Sequence, residues 1–270
     1  MCTNRIFPAS VLFILTITCS TVFAKSEATS ATKPAPDSKP GPNSKPELSE
    51  FERALKLTPG IDNGRKLYRK CVACHGPEGW GDPNGSYPQI AGQLPGVIIK
   101  QLADIREGNR DNPIMRAFTS GRALGGAQEI ADVAGYIAAL PMTDYNGQGN
   151  RRYIEQGKEI YQRDCIDCHG EEGEGDVKKH VPVIYGQHYE YLERQYRWIR
   201  NGRRKNANKE MVEQIQGYSF RDEDAVLSYT ATLLPPDEKL AEPDWKNPDF
   251  PNFERNWTPD PIRDRRINSY

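Results

Sequence analysis

The chain carries one five-residue signature twice, Cys71-Val72-Ala73-Cys74-His75 and Cys165-Ile166-Asp167-Cys168-His169. Two thiols one helical turn apart can each add across a vinyl group of a single haem, and the histidine that follows is placed to bind the iron from the same side. This is the attachment pattern of c-type haem, and its doubling predicts two covalently attached haem c groups. Each motif therefore requires a lobe of chain folded around an apolar body larger than any side chain.

The remaining cysteines agree with that reading. Of six cysteines, Cys2 and Cys19 fall in residues 1–24, which have the features of an export signal. Arg5 supplies its charge, residues 11–23 are apolar or small, and Val22-Phe23-Ala24 makes a small-residue cleavage site before Lys25. Cleavage leaves four cysteines, all in the motifs and none for a disulfide. Two readings compete with cleavage: an uncleaved anchor, although the run is short against the ~20 residues of a membrane span, and lipidation of Cys19, which Thr18 fits poorly. Either would give membrane association. Export together with c-type haem points to a bacterial periplasm.

Residues 25–50 are rich in Lys, Pro and Ser, and Asp37-Ser38-Lys39-Pro40 nearly recurs at Asn43-Ser44-Lys45-Pro46. Such a segment favours an extended spacer without a core, or a tether. The body that follows is a duplication. A shift of 94 positions carries Cys71 to Cys165, Pro88 to Pro182, Gly92-Gln93 to Gly186-Gln187, Gln101 to Gln195, Arg106 to Arg200 and Arg110 to Arg204. Gly64 maps to Gly157 and Tyr68 to Tyr161 at an offset of 93. Lobe one spans residues 51–141 and lobe two residues 150–234. Residues 142–149 read as a flexible joint from their Gly and Asn content. The tail, residues 235–270, mixes prolines and charges with Trp245, Phe250, Phe253 and Trp257, and reads as an ordered arm over the lobes or a partner-docking segment.

The expected fold class is all-α, one haem per lobe, with extended N- and C-terminal segments. Helices are predicted at 65–70 and 158–164 running into the motifs, at 95–106 and 189–201 from apolar spacings of three and four, and at 127–140 and 222–233, with acidic first turns. No strand pattern is present. Only 37% of residues are apolar, lean for a globular chain, as suits long tails and haem-filled cores. The formal net charge of −1 excludes a nucleic-acid footprint.

Each iron has a second axial position beyond His75 and His169. The chain has four histidines and four methionines, and lobe one has no histidine except His75. Its candidates are Met115 and Met142, and Met115 lies 40 residues beyond His75 in a loop opened by Asn112-Pro113 between the middle and last helices. Met211 stands at the matching point of lobe two, 42 residues beyond His169. A lone methionine is ordinarily core filling, but matched methionines in duplicated haem lobes point to ligation. His180 and His188 are rivals in lobe two without lobe-one counterparts; surface or supporting positions suit them better. His/Met ligation would raise the reduction potential and leave no open iron position.

At this point the chain resembles the dihaem cytochrome c4 family, built from two class I cytochrome c lobes. The resemblance covers residues 51–234 and rests on both Cys-x-x-Cys-His motifs, on Pro-x-Ile-x-Gly-Gln from Pro88 and again from Pro182, on the methionine segments and on the last helices with Tyr136 and Tyr229. It implies that the Pro88 and Pro182 carbonyls accept from the second ring nitrogen of the proximal histidines. The spacer and the tail after Pro235 lie outside the family pattern.

Between residues 191 and 209 stand Arg194, Arg197, Arg200, Arg203, Arg204, Lys205 and Lys209 against Glu193 alone. They either surround a haem edge and attract an acidic redox partner or form a solvated face with some charges on haem propionates. The leading functional expectation is a periplasmic electron carrier between a respiratory donor and a terminal oxidase or reductase. The alternatives are a cytochrome subunit of a larger dehydrogenase, a dihaem enzyme (peroxidase or thiosulfate-oxidising) with one open haem, and a non-haem zinc protein.

Overall fold

The computed structural model describes residues 47–253. The expected export signal, nearly all of the expected spacer and the final residues with Trp257 lie outside them. Lobe one contains α1 (Glu50–Leu55), α2 (Ile61–Tyr68), α3 (Val72–His75), α4 (Pro95–Glu107), α5 (Pro113–Thr119), α6 (Gly121–Leu124) and α7 (Ala127–Ala139). Lobe two contains α8 (Ile154–Asp164), α9 (Ile166–His169), α10 (Tyr189–Arg200), α11 (Lys209–Gln216) and α12 (Phe220–Thr230). Among the described residues the only β-type pairing is three isolated bridges. The chain is a tandem duplication of a helical cytochrome c-type lobe.

In each lobe the helix that runs into the motif packs closely on the last helix at a glycine, α2 with α7 and α8 with α12. A Cβ on Gly64 would stand 2.1 Å from the Asp132 carbonyl oxygen, and one on Gly157 would stand 2.0 Å from that of Ala225. Only glycine allows backbones to approach so closely. Asn63, which reads as a turn signal, donates to Asp132 at 2.7 Å. Thus α2 begins at Ile61, earlier than its residue types suggest. Ser219 and Asp222 form a capping box that starts α12, and Pro95 occupies the first turn of α4.

The lobes meet about a local twofold axis. Gln93 donates to the Val183 carbonyl at 2.9 Å and accepts from its N–H at 3.0 Å. Gln187 brackets Gln89 in the same way, at 2.8 and 3.1 Å. Arg110 and Arg204 face each other in an antiparallel bridge, as twofold mates do when the axis passes between them. Each guanidinium donates to both Gln101 and Gln195, at 3.0–3.3 Å. The duplicated residues therefore form a self-complementary interface within one chain.

The expected flexible joint is instead buried. Met142 and Asn146 are 3% and 2% exposed. Asn146 donates to the Gln187 and Ala231 carbonyls at 2.7 and 2.9 Å, and Met142 exchanges backbone bonds with Lys239 and Ala241. Gly and Asn serve here for close approach and for amide bonding. The C-terminal segment crosses back to lobe one. Trp245 packs on Trp80 and Phe250 on Tyr68; Asn247 donates to the Pro77 carbonyl at 2.6 Å and to the Tyr136 hydroxyl at 3.0 Å. The loop after the lobe-one motif is covered, whereas Glu171, Glu172 and Glu174 of the lobe-two loop are exposed.

Candidate haem-binding sites

Each motif folds as a single helical turn. Cys71 and Cys165 are the N-caps of α3 and α9, and their carbonyls accept from the His75 and His169 N–H groups at 2.9 Å. The two thiols of each motif thus lie one turn apart, and all four are free. Burial, reinforced by a neighbouring thiol or carboxylate, pushes the Cys71 and Cys165 thiols up to about 12.

Nδ1 of His75 lies 3.3 Å from the Pro88 carbonyl oxygen, and Nδ1 of His169 lies 3.3 Å from that of Pro182. A carbonyl can only accept, so Nδ1 carries the proton and the Nε2 lone pair is left for a metal. Burial pushes the His75 imidazole down to about 4, the Arg110 charge adding to the effect, and burial lowers His169 also. Both rings are held neutral, as ligation requires.

Met115 and Met211 lie not in open loops but in the short helices α5 and α11. Asn112 and Asn208 cap those helices, their side chains accepting from the Met115 and Met211 N–H groups at 3.2 and 3.0 Å. Sequence spacing missed the helices because each has two turns or fewer, but the repeated Asn was a visible signal. Both methionines are half-buried. Met142, the other lobe-one candidate, lies over Gly92 and in the seam with the C-terminal arm.

His188 is neither on the surface nor beside a motif. It is 0% exposed, its Nδ1 accepts from the Gly147 N–H at 3.1 Å, and its Nε2 donates to the Trp80 carbonyl at 2.8 Å. Both nitrogens are occupied, so it cannot also bind iron. His180 lies two residues before Pro182 on the His169 side of lobe two, and its ring sits edge-on to Phe51 of lobe one at 5.3 Å.

The basic segment is mostly consumed internally. Arg194 donates to the Gly85 carbonyl at 2.6 Å, Arg197 and Arg200 both hold Glu223, Arg203 pairs with Asp111 and lies over Trp198, and Arg204 is half-buried on the axis. Lys205 and Lys209 line a cavity of about 280 Å³ with Arg204 and Val212. Arg197, Arg203, Lys205 and Lys209 of this stretch nevertheless remain exposed to solvent.

The residues fit haem. Arg110 is 7% exposed and its Nε has no hydrogen-bond partner. Burial, and then the like charge of Arg110, pulls Arg204 down to about 10. These adjacent guanidiniums, Arg110 buried and Arg204 half-buried, are bonded only to amide and hydroxyl oxygens, and haem propionates would supply the anions that such a pair calls for. The repeat offset pairs both arginines, and Arg204 also belongs to the basic stretch expected at a haem edge or on propionates, whereas Arg110 carried no role in the sequence. Among the described residues no three His, Cys, Asp or Glu side chains converge as a metal-holding group, so a zinc site lacks its donors. No helix among them is long and apolar enough to cross a membrane.

These features define a protein with two covalent c-type haem lobes, a class that transfers electrons. The family model described as Cytochrome c matches residues 61–141 and again 154–233, and the chain belongs to that family. Its relatives place it with the dihaem cytochromes c4. It is 32% identical to the "Thiosulfate dehydrogenase electron acceptor" of Stutzerimonas stutzeri (strain A1501), over 63% of this chain and 86% of that one. It is 27% identical to "Cytochrome c4" of Azotobacter vinelandii, over 60% and 84%. The crystal structure of reduced recombinant cytochrome c4 from Pseudomonas stutzeri superposes with a TM-score of 0.58 at 25% identity, covering 66% of this chain and all of that one. The protein is a dihaem cytochrome c4-like electron carrier with two haem c groups.

Proposed function

We propose that both irons are His/Met ligated, by His75 with Met115 and by His169 with Met211, and that the exported protein relays single electrons in the periplasm between a respiratory donor and a terminal oxidase or reductase. The observation that carries this reading is the matched construction of the lobes. In each, a proline carbonyl orients the proximal imidazole and an asparagine-capped helix presents a methionine. Each haem supplies a one-electron ferric/ferrous centre. The chain's residues bury it, hold its first ligand neutral and place cations at its propionates. A thioether favours ferrous iron and raises the potential, and six-coordination in both redox states limits reorganisation.

One observation favours a particular donor: a relative at 32% identity is a "Thiosulfate dehydrogenase electron acceptor". A thiosulfate-oxidising dehydrogenase is accordingly the donor class proposed here, with this chain as its acceptor and not as the enzyme. The test combines two measurements on the purified dihaem protein. Ferrous protein should bind carbon monoxide only slowly, and thiosulfate should reduce both haems only when a thiosulfate dehydrogenase is added. Rapid carbon monoxide binding at one haem would contradict six-coordination there. Reduction by thiosulfate alone would make this chain the enzyme.

A further inference from the structure

The segment that carries each methionine is fastened at both ends. At its start, the Asn112 or Asn208 side chain bonds the methionine N–H. At its far end the partner is an arginine of the middle helix, at matched positions of the duplication. Arg106 of α4 donates to the carbonyl of Thr119, the last residue of α5, at 2.5 Å, and to that of Gly125, which ends α6, at 2.8 Å. Arg200 of α10 donates to the carbonyl of Tyr218, just past α11, at 2.8 Å, and Gln216 donates back to the Arg200 carbonyl at 2.6 Å. A carboxylate orients each guanidinium from behind: Glu50 for Arg106, and Glu223 for Arg200 at 3.1 Å. The residue before each first motif cysteine reaches the same segment, through Lys70 on the Ala123 carbonyl and Asp164 on Tyr218.

We infer that Arg106 and Arg200 are positioning residues that hold the methionine segments closed over the irons and so set how readily an outside ligand displaces each thioether. Iron–thioether bonds are weak, so ligand exchange depends on the cost of opening the segment. A charged donor bonded to backbone carbonyls at its hinge is well placed to set that cost. The inference rests on the ligation reading above and extends it to residues outside the candidate ligand set.

The test uses the full dihaem protein and imidazole as the displacing ligand, followed through loss of the near-infrared methionine-to-ferric-iron band. Arg106→Gln should raise imidazole affinity at one haem about tenfold and leave the other haem as in the wild type. Arg106→Lys, which keeps the charge and one donor, should recover part of the difference. Hydrogen exchange should quicken in residues 113–126 and not in α2 or α7. Should Arg106→Gln fail to fold, Arg106→Lys is read by the same three measurements against the wild type. Wild-type imidazole affinity in a folded variant with its band intact overturns this inference alone. A wild-type protein lacking the band overturns the ligation reading and this inference with it.

Discussion

His188 has no counterpart in lobe one, where Leu94 holds the matching position, and it bolts lobe two and the connector to the Trp80 loop. Burial pushes it down to about 4 against an ordinary 6.5. The folded protein then binds fewer protons at this site than the unfolded chain. Its contribution is complete above pH 6.5 and is lost as pH falls towards 4, by up to about 3 kcal/mol. Denaturant melts of His188→Gln should be less stable at pH 7 and should lose less stability between pH 6.5 and 4 than the wild type. An equal acid slope in both proteins would remove His188 from the account. Sequence alone could count the histidines and exclude all but His75 from lobe one. It could not show that His188 is buried, because its partners are a carbonyl and an N–H more than 40 positions away.

At the scale of elements, the paired glycines bear the tightest contact. Gly64→Ala and Gly157→Ala each drive a Cβ into a facing carbonyl oxygen at 2.0–2.1 Å, so each should cost about 2 kcal/mol or more. Ala at Gly121, where nothing lies within 4 Å, should be tolerated, and thermal melts of the three variants compare them directly. The five long helices α4, α7, α8, α10 and α12 were legible because period and length are strong signals there. The start of α2 was not, since Asn63 and Gly64 serve tertiary contacts that mimic a turn. The short methionine helices α5 and α11 were missed because seven or eight residues give too few turns for a period to show, and their visible signals are the Asn caps.

At the scale of the molecule, the repeat that was readable as an offset becomes a twofold interface. Gln89, Gln93 and Gln187 bond backbone across it, and Arg110 and Arg204 share their amide partners. Replacing Gln93 and Gln187 together with Ala should leave both haems attached while hydrogen exchange rises at Gln89 and Val183 on both sides of the axis. The connector and arm explain why the lobes are not equivalent: Pro77 and Trp80 are buried under Asn247, Trp245 and His188, and among the described residues the matching loop of lobe two leaves Glu171, Glu172 and Glu174 exposed. No periodic signal announces those contacts, which depend on which aromatic meets which carbonyl.

The central claim is that two copies of one lobe each hold a haem between a fixed histidine and a methionine. The most direct measurement is the near-infrared methionine band of the ferric protein, normalised to covalent haem. The account predicts two haems per chain, with Met115→Ala and Met211→Ala each removing about half of the band, lowering one potential and opening one iron to carbon monoxide. A band unchanged in either variant, or a wild-type chain in which one haem shows none, would contradict it.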